Sequence, residues 1–290
     1  MVLQSTLHNL NSSLSRLQHS QQDMSTGRSL RKMSDDPPRG ISAMTTRNEL
    51  RRSEQRSRTA DNTQSVLAVA DNALVSSLDI LARAKELTVR ASNTGSLNAT
   101  ARDAIGSELL SIRKELIAVA NTKHLNRPIF NGTAAGAAYD TDSGAYLGNA
   151  AIVVRDVGPN TTVTANMTGE QIFGAQAGSS GDLFAVLDRL TTAVASGDSA
   201  AIAIEHTNLD AATTRVGSAA AEIGTRAARL DSIRSRSAAD ELGLRDRLSG
   251  LEDIDLAEAI IATQTHENAY TAALQAAARV IPPSLVDYLR

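Results

Sequence analysis

Leu3, Leu7, Leu10, Leu14, Leu17 and Met24 recur at alternating steps of four and three residues, with Gln21 the one polar position of the row. Such spacing puts every member on one side of a helix and predicts a coiled-coil strand over about the first 25 residues. Thr26-Gly27 interrupts it, and Met33-Ser34-Asp35-Asp36-Pro37-Pro38 predicts a turn, because the residue before a proline avoids the helical region and aspartates bond nearby amides. From Gly40 a second helix is expected to about residue 92, with Leu67, Leu74 and Leu81 on one seam and Ala70, Ser77 and Ala84 between them. Asn93-Thr94-Gly95-Ser96 then predicts a turn, after which Ile105, Leu109, Ile112, Leu116 and Val119 step four and three again, in a helix expected to fold back antiparallel.

The helical period disappears between Lys123 and Gly181. Residues 151–157 and 161–166, separated by Gly158-Pro159-Asn160, read as strand, turn and strand. Helical spacing returns with Leu183, Leu187, Leu190 and Val194, and then with Ile202, Leu209, Val216, Ile223 and Leu230 at seven-residue intervals. After Leu244, Leu248 and Leu251 come Leu256, Ile260, Tyr270, Leu274, Ala277 and Ile281 before Pro282-Pro283. A single closing helix of about forty residues would be about 60 Å long. One such helix at each terminus, each with one apolar seam, calls for a partner. The other terminus is the simplest, and two helices leave apolar faces over for further copies to cover.

Expected, then, is a mainly α fold: an elongated antiparallel helical bundle of N- and C-terminal segments with a small β-rich insert domain. Its regions are 1–45 and 250–290 as a terminal coiled-coil polymerisation region, 46–130 and 181–249 as a helical spoke domain, and 131–180 as the insert.

Composition narrows the chemistry. Only 2% of the 290 residues are aromatic and none is Trp, so no large aromatic core is expected. With 29 basic and 32 acidic residues the net charge is -3, which draws no nucleic acid. The absence of cysteine removes disulfides, thiolate metal sites and thiol nucleophiles. No uninterrupted apolar run approaches the roughly 18 residues of a membrane span, and the N-terminus has no signal-peptide pattern. No two of His8, His19, His124, His206 and His266 share a metal-ligand spacing, and His266-Glu267 has Tyr270 where a zinc-protease motif needs a second histidine. Asp35-Asp36 fits turn and capping chemistry better than a catalytic carboxylate pair. No catalytic residue, cofactor or metal site can be named, and the expectation is a protein that is not an enzyme. The strongest charge feature is Arg47, Arg51, Arg52, Arg56 and Arg58, which is either a solvated helix face or a set of guanidiniums pairing with carboxylates of a neighbouring copy.

Several segments resemble the flagellin superfamily. Ser25-Thr26-Gly27-Arg28 with Met33-Ser34-Asp35-Asp36-Pro37 is similar to its STGK/R…PSDDP element, Met33 standing where proline is common. Residues 84–93, Glu108-Leu109 and Ala120-Asn121-Thr122 resemble its spoke helices, Ile129-Phe130-Asn131-Gly132 its turn into the variable domain, and Ser284-Leu285-Val286-Asp287-Tyr288-Leu289 its SLLDFL ending. Arg155-Asp156-Val157, Val163 and Gly169 to Gly174 resemble the hook–filament junction branch. That resemblance implies an extracellular structural adaptor of the bacterial flagellum, involved in motility. It would be exported by the flagellar type III pathway without a cleaved signal peptide, and would join the hook-associated protein 1 zone to the flagellin filament. Implied partners are hook-associated protein 1, flagellin, copies of itself in a ring and an export chaperone, with no nucleic acid and no membrane insertion. The implied assembly residues are Leu3, Leu7, Leu10, Leu14, Leu17, Met24, Leu256, Ile260, Tyr270, Leu274, Ala277 and Ile281. The alternative is the filament subunit, flagellin itself, which shares the terminal coils.

Overall fold

The computed structural model describes residues 2–92, 98–174 and 181–280, and the side chains of 4–278 within them. The turn expected at 93–96, Ile281, the Pro282-Pro283 helix stop and the 284–290 segment lie outside the described residues. In chain order the elements are α1 (Val2–Thr26), α2 (Pro37–Ser92), α3 (Ala99–Ala120), β1 (Lys123–His124), β2 (Arg127–Pro128), β3 (Val154–Gly158), β4 (Thr161–Thr164), α4 (Gly169–Phe173), α5 (Leu183–Ser196), α6 (Ser199–Glu252) and α7 (Leu256–Val280). The fold is mainly α with two small two-stranded sheets.

Short polar side chains start these helices. Asn98 accepts the Ala101 N–H at α3, Asp182 the Phe184 N–H at α5, Asp198 those of Ala200 and Ala201 at α6, and Asp255 those of Ala257 and Glu258 at α7. Asp36 accepts the Arg39 N–H at the start of α2, where Pro37 and Pro38 fall in the first turn and sacrifice no helical bond. Asp35 accepts from the amides of Lys32 and Arg31 instead. The Asp35-Asp36 pair is thus occupied with turn and cap bonds. The single forty-residue helix expected at the C-terminus is broken at 253–255. Asp255 caps a new helix there, and Asp253 makes an antiparallel bridge to Arg28.

The chain divides into two compact units, residues 53–239 and residues 1–52 with 240–290. In the larger unit Leu67, Leu74 and Leu81, Leu109, Ile112 and Leu116, Leu183, Leu187, Leu190 and Val194, and Ile202, Leu209, Val216, Ile223 and Leu230 are all buried in one apolar cluster. An 18-residue window of α2 reaches a mean hydropathy of 1.5, enough by length and composition for a membrane span. The leucine seam buried in this core supplies much of that hydropathy.

The described residues of the insert, 131–174, lie inside the larger unit and share its core. Strands β3 and β4 pair antiparallel, Arg155 opposite Val163, across a turn in which Asn160 has φ 53°. Scarce as they are, the aromatic residues are pooled. All three phenylalanines and two of the four tyrosines (Phe130, Tyr139, Tyr146, Phe173, Phe184) form one cluster with centroid separations of 4.9–6.0 Å. The rings are concentrated in one place, a small aromatic cluster rather than a large aromatic core. Burial drives the Tyr139 hydroxyl well above its ordinary pKa and raises that of Tyr146 to about 12. Loops of this region are held by helix side chains. Arg113 donates to the carbonyls of Asp142 and Ser143, and Arg215 to those of Ile172, Phe173 and Gly181. Arg226 donates to that of Asn166, and Asn121 exchanges two hydrogen bonds with the Tyr139 backbone.

Candidate assembly surface

In the smaller unit α1 packs on α7. Gly27, at φ 69°, ends α1 with its N–H on the Asp23 carbonyl, a left-handed close that glycine adopts without steric cost. The chain then crosses the α6–α7 break. Ser29 and Leu30 donate their amides to the Glu252 carbonyl, and Ile254 donates to that of Gly27. Arg39 reaches from α2 to the Leu251 carbonyl and the Ser29 hydroxyl. At the centre is the buried carboxylate of Glu252, 2.7 Å from Arg47 and 3.9 Å from Arg28. Four helix ends meet at this one charged node, which holds the α1–α7 pair to the ends of α2 and α6 inside the unit.

The pair itself buries little. Among the described side chains of α1 only Leu17 and Ser20 are buried, and no described residue of α7 is. The less exposed row of α7 is small and polar: Ala259, Ala262, Thr263, His266, Tyr270, Ala273 and Ala277. Thr263 hydrogen-bonds Ser20 and touches the Met24 sulfur. Of the twelve assembly residues expected, Leu10, Leu14, Leu17, Tyr270 and Ala277 fall on covered or half-covered sides. Leu7, Met24, Leu256, Ile260 and Leu274 are exposed, and the side chain of Leu3 and all of Ile281 lie outside the described residues. Leu256, 60% exposed, and Leu274, 42% exposed, are 18 residues apart, five helical turns, with Ile260 on the same side. α7 therefore carries a small, half-covered row and, flanking it, a large aliphatic row that stays exposed.

Met33, Ile41, Met44, Leu242 and Ile261 of the same unit are exposed as well. Sequence reasoning missed them as surface. Ile41 and Met44, one turn apart on an otherwise polar stretch before the arginine series, were the available signal.

The arginine series has partners within the chain. Arg47 pairs with Glu252 and Arg56 with Asp156, while Arg51 donates to Asn48 and Arg58 to Gln55. Arg52 is exposed. A cleft of about 580 Å³ beside the node is bordered by Arg16, His19, Asp23, Asp255, Glu258 and His266, a mixture of both charges. Nothing in it resembles a catalytic constellation. What the unit can do chemically is associate: it presents aliphatic side chains on a two-helix scaffold that is incomplete by itself.

Comparison with known proteins finds likenesses to flagellar proteins. Residues 1–135 match the model of the bacterial flagellin N-terminal helical region. The chain is similar to flagellar hook-associated protein 3 of Escherichia coli, 26% identical over 277 residues that cover 88% of this chain and 87% of the relative. It is also 27% identical to flagellin of Bacillus subtilis over 266 residues, 87% of this chain and 85% of the relative. Among solved structures, a flagellar hook-associated protein from Vibrio parahaemolyticus superposes with a TM-score of 0.68 at 25% identity, covering 76% of this chain and 99% of that one.

Proposed function

We propose that this chain is a structural subunit of the flagellar hook–filament junction. It joins the hook-associated protein 1 zone to the flagellin filament as a ring of copies outside the cell, after export by the flagellar type III pathway with a chaperone's help. The single observation that carries the reading is the exposed aliphatic row of α7, Leu256, Ile260 and Leu274, on a helix pair with almost no buried side chains. A row of that kind is covered in a coaxial assembly, and a pair so thin orders fully only when neighbours cover it. Similarity over most of the chain to hook-associated protein 3 supports the junction role. In this reading residues 1–45 and 250–290 polymerise, 46–130 and 181–249 form the spoke, and 131–180 form the insert. No enzymatic step enters.

A second reading, the filament subunit itself, is favoured by the similarity to Bacillus subtilis flagellin. Deleting the gene in its source organism separates the two. A junction subunit leaves hooks without filaments in electron micrographs and flagellin shed into the medium. A filament subunit leaves no filaments and no shed flagellin, and normal filaments overturn both readings.

A further inference from the structure

We infer that a groove on the larger unit is a docking site for a segment of a neighbouring protein subunit that presents an apolar side chain next to a carboxylate. The groove, about 280 Å³, lies between α2, the β1–β2 hairpin and β3. Val66, Ile129, Val153 and Ala165 supply apolar lining, while Arg127 and Arg155 supply positive charge, and no carboxylate lines it. Arg155 is oriented by a 2.6 Å hydrogen bond to Asn62. Arg127 pairs with His124 through the hairpin backbone, while its side chain is exposed and has no hydrogen bond or ion pair among the described residues. Cations facing an uncharged, partly apolar wall complement an acidic and apolar occupant. The volume falls at or below the range of about 300–1,000 Å³ typical of sites that enclose a whole small molecule, and suits one or two side chains.

The second observation is independent of charge. The two-residue hairpin loop joining β1 to β2 is Leu125-Asn126, with φ of 47° and 65°, the left-handed pair that a tight turn of this type requires. Asn tolerates that conformation and glycine is its usual companion. A leucine does not suit it, and Leu125 is 79% exposed. A bulky apolar residue kept in an unfavourable conformation, in water, at the lip of a cationic groove serves no folding purpose in this unit. It acquires one when a partner covers it.

This inference rests on the chain working as a subunit of a larger assembly, and its test separates the two failures. A photo-crosslinking benzoylphenylalanine is placed at Leu125, and in a parallel variant at Ile260, in the full chain expressed in motile cells of the source organism. The expected result is adducts from both positions. That from position 125 should map to an acidic and apolar segment of a neighbouring subunit and fall about tenfold or more in the Arg127→Glu variant. Because the Arg127 side chain has no partner to lose, that variant is expected to melt at the temperature of the unaltered chain. Adducts from position 260 with none from 125, or a 125 adduct indifferent to Arg127→Glu, overturn the groove and leave the assembly reading standing. Adducts from neither position overturn both.

Discussion

A guanidinium that donates to three main-chain carbonyls does for a loop what a strand neighbour does for a strand. Arg215, whose own pKa is lowered by burial, holds Ile172, Phe173 and Gly181 in this way. Arg215→Ala is expected to cost about 2 kcal/mol, because the carbonyls of the buried Ile172 and Phe173 lose a charged donor; urea titration of the intact chain measures it. Asp182 makes a subtler case. It caps α5, and burial holds its carboxyl above the ordinary 3.8 despite the N–H groups it accepts and the nearby Arg113 and Arg189. A carboxylate whose pKa is raised on folding opposes folding at every pH above that raised value, and the opposition fades as pH falls through it toward 3.8. Asp182→Asn keeps an oxygen for the Phe184 N–H and removes the charge. It is therefore expected to raise the unfolding free energy at pH 7, with the advantage shrinking on acidification, in denaturation curves across that range. The caps at Asp36, Asp182, Asp198 and Asp255 belong to a residue class legible in sequence, since short polar side chains bond locally. The arginine clamps were not legible, because a linear string does not reveal which carbonyls a loop will leave unpaired.

Helices α2, α3, α5 and α6 follow their apolar spacing closely, and the seven-residue row from Ile202 to Leu230 is buried throughout. The strand pair at 154–164 was equally visible, two β-branched runs around Pro159-Asn160. The break at 253–255 was not, because Ile254 and Leu256 keep the stretch looking helical while the reason for the break, the crossing of residues 27–30, comes from more than 220 positions away. Glu252 is the centre of that crossing, and the two sides of its ion pair are unequal. The glutamate side chain is 3% exposed and Arg47 is 47% exposed. Removing the arginine strands a buried charge, with only Arg28 at 3.9 Å to offset it. Removing the glutamate's charge leaves guanidiniums that water can reach. Arg47→Ala is accordingly expected to cost about 3 kcal/mol locally, and Glu252→Gln about 1 kcal/mol. Amide exchange at Ser29 and Leu30, both bonded to the Glu252 carbonyl, reads the difference directly.

At the scale of the molecule, one unit has a core and the other has a surface waiting for one. Residues 53–239 bury helix seams and an aromatic cluster in continuous contact. The terminal unit buries chiefly isolated positions such as Leu17, Leu30, Ala43 and Glu252, and exposes ten large apolar side chains from Leu7 to Leu274. Heptad spacing announced that these termini carry apolar faces. It did not show which face of α7 its own chain covers, because periodicity marks a row as apolar without naming what lies against it. The small row of Ala259, Ala262 and Ala273 went unnoticed beside the larger Leu256, Ile260 and Leu274 for the same reason. In the proposed assembly this exposed row is buried between copies. The most direct measurement is on a chain carrying Leu256→Asp and Ile260→Asp together, two exposed sites whose change leaves the covered side of α7 intact. Expected are a purified monomer with unaltered helicity and melting temperature, and cells that make hooks but hold no filaments. Filaments attached in normal number and length, with the doubly altered chain present at their base, would contradict burial of this row between copies.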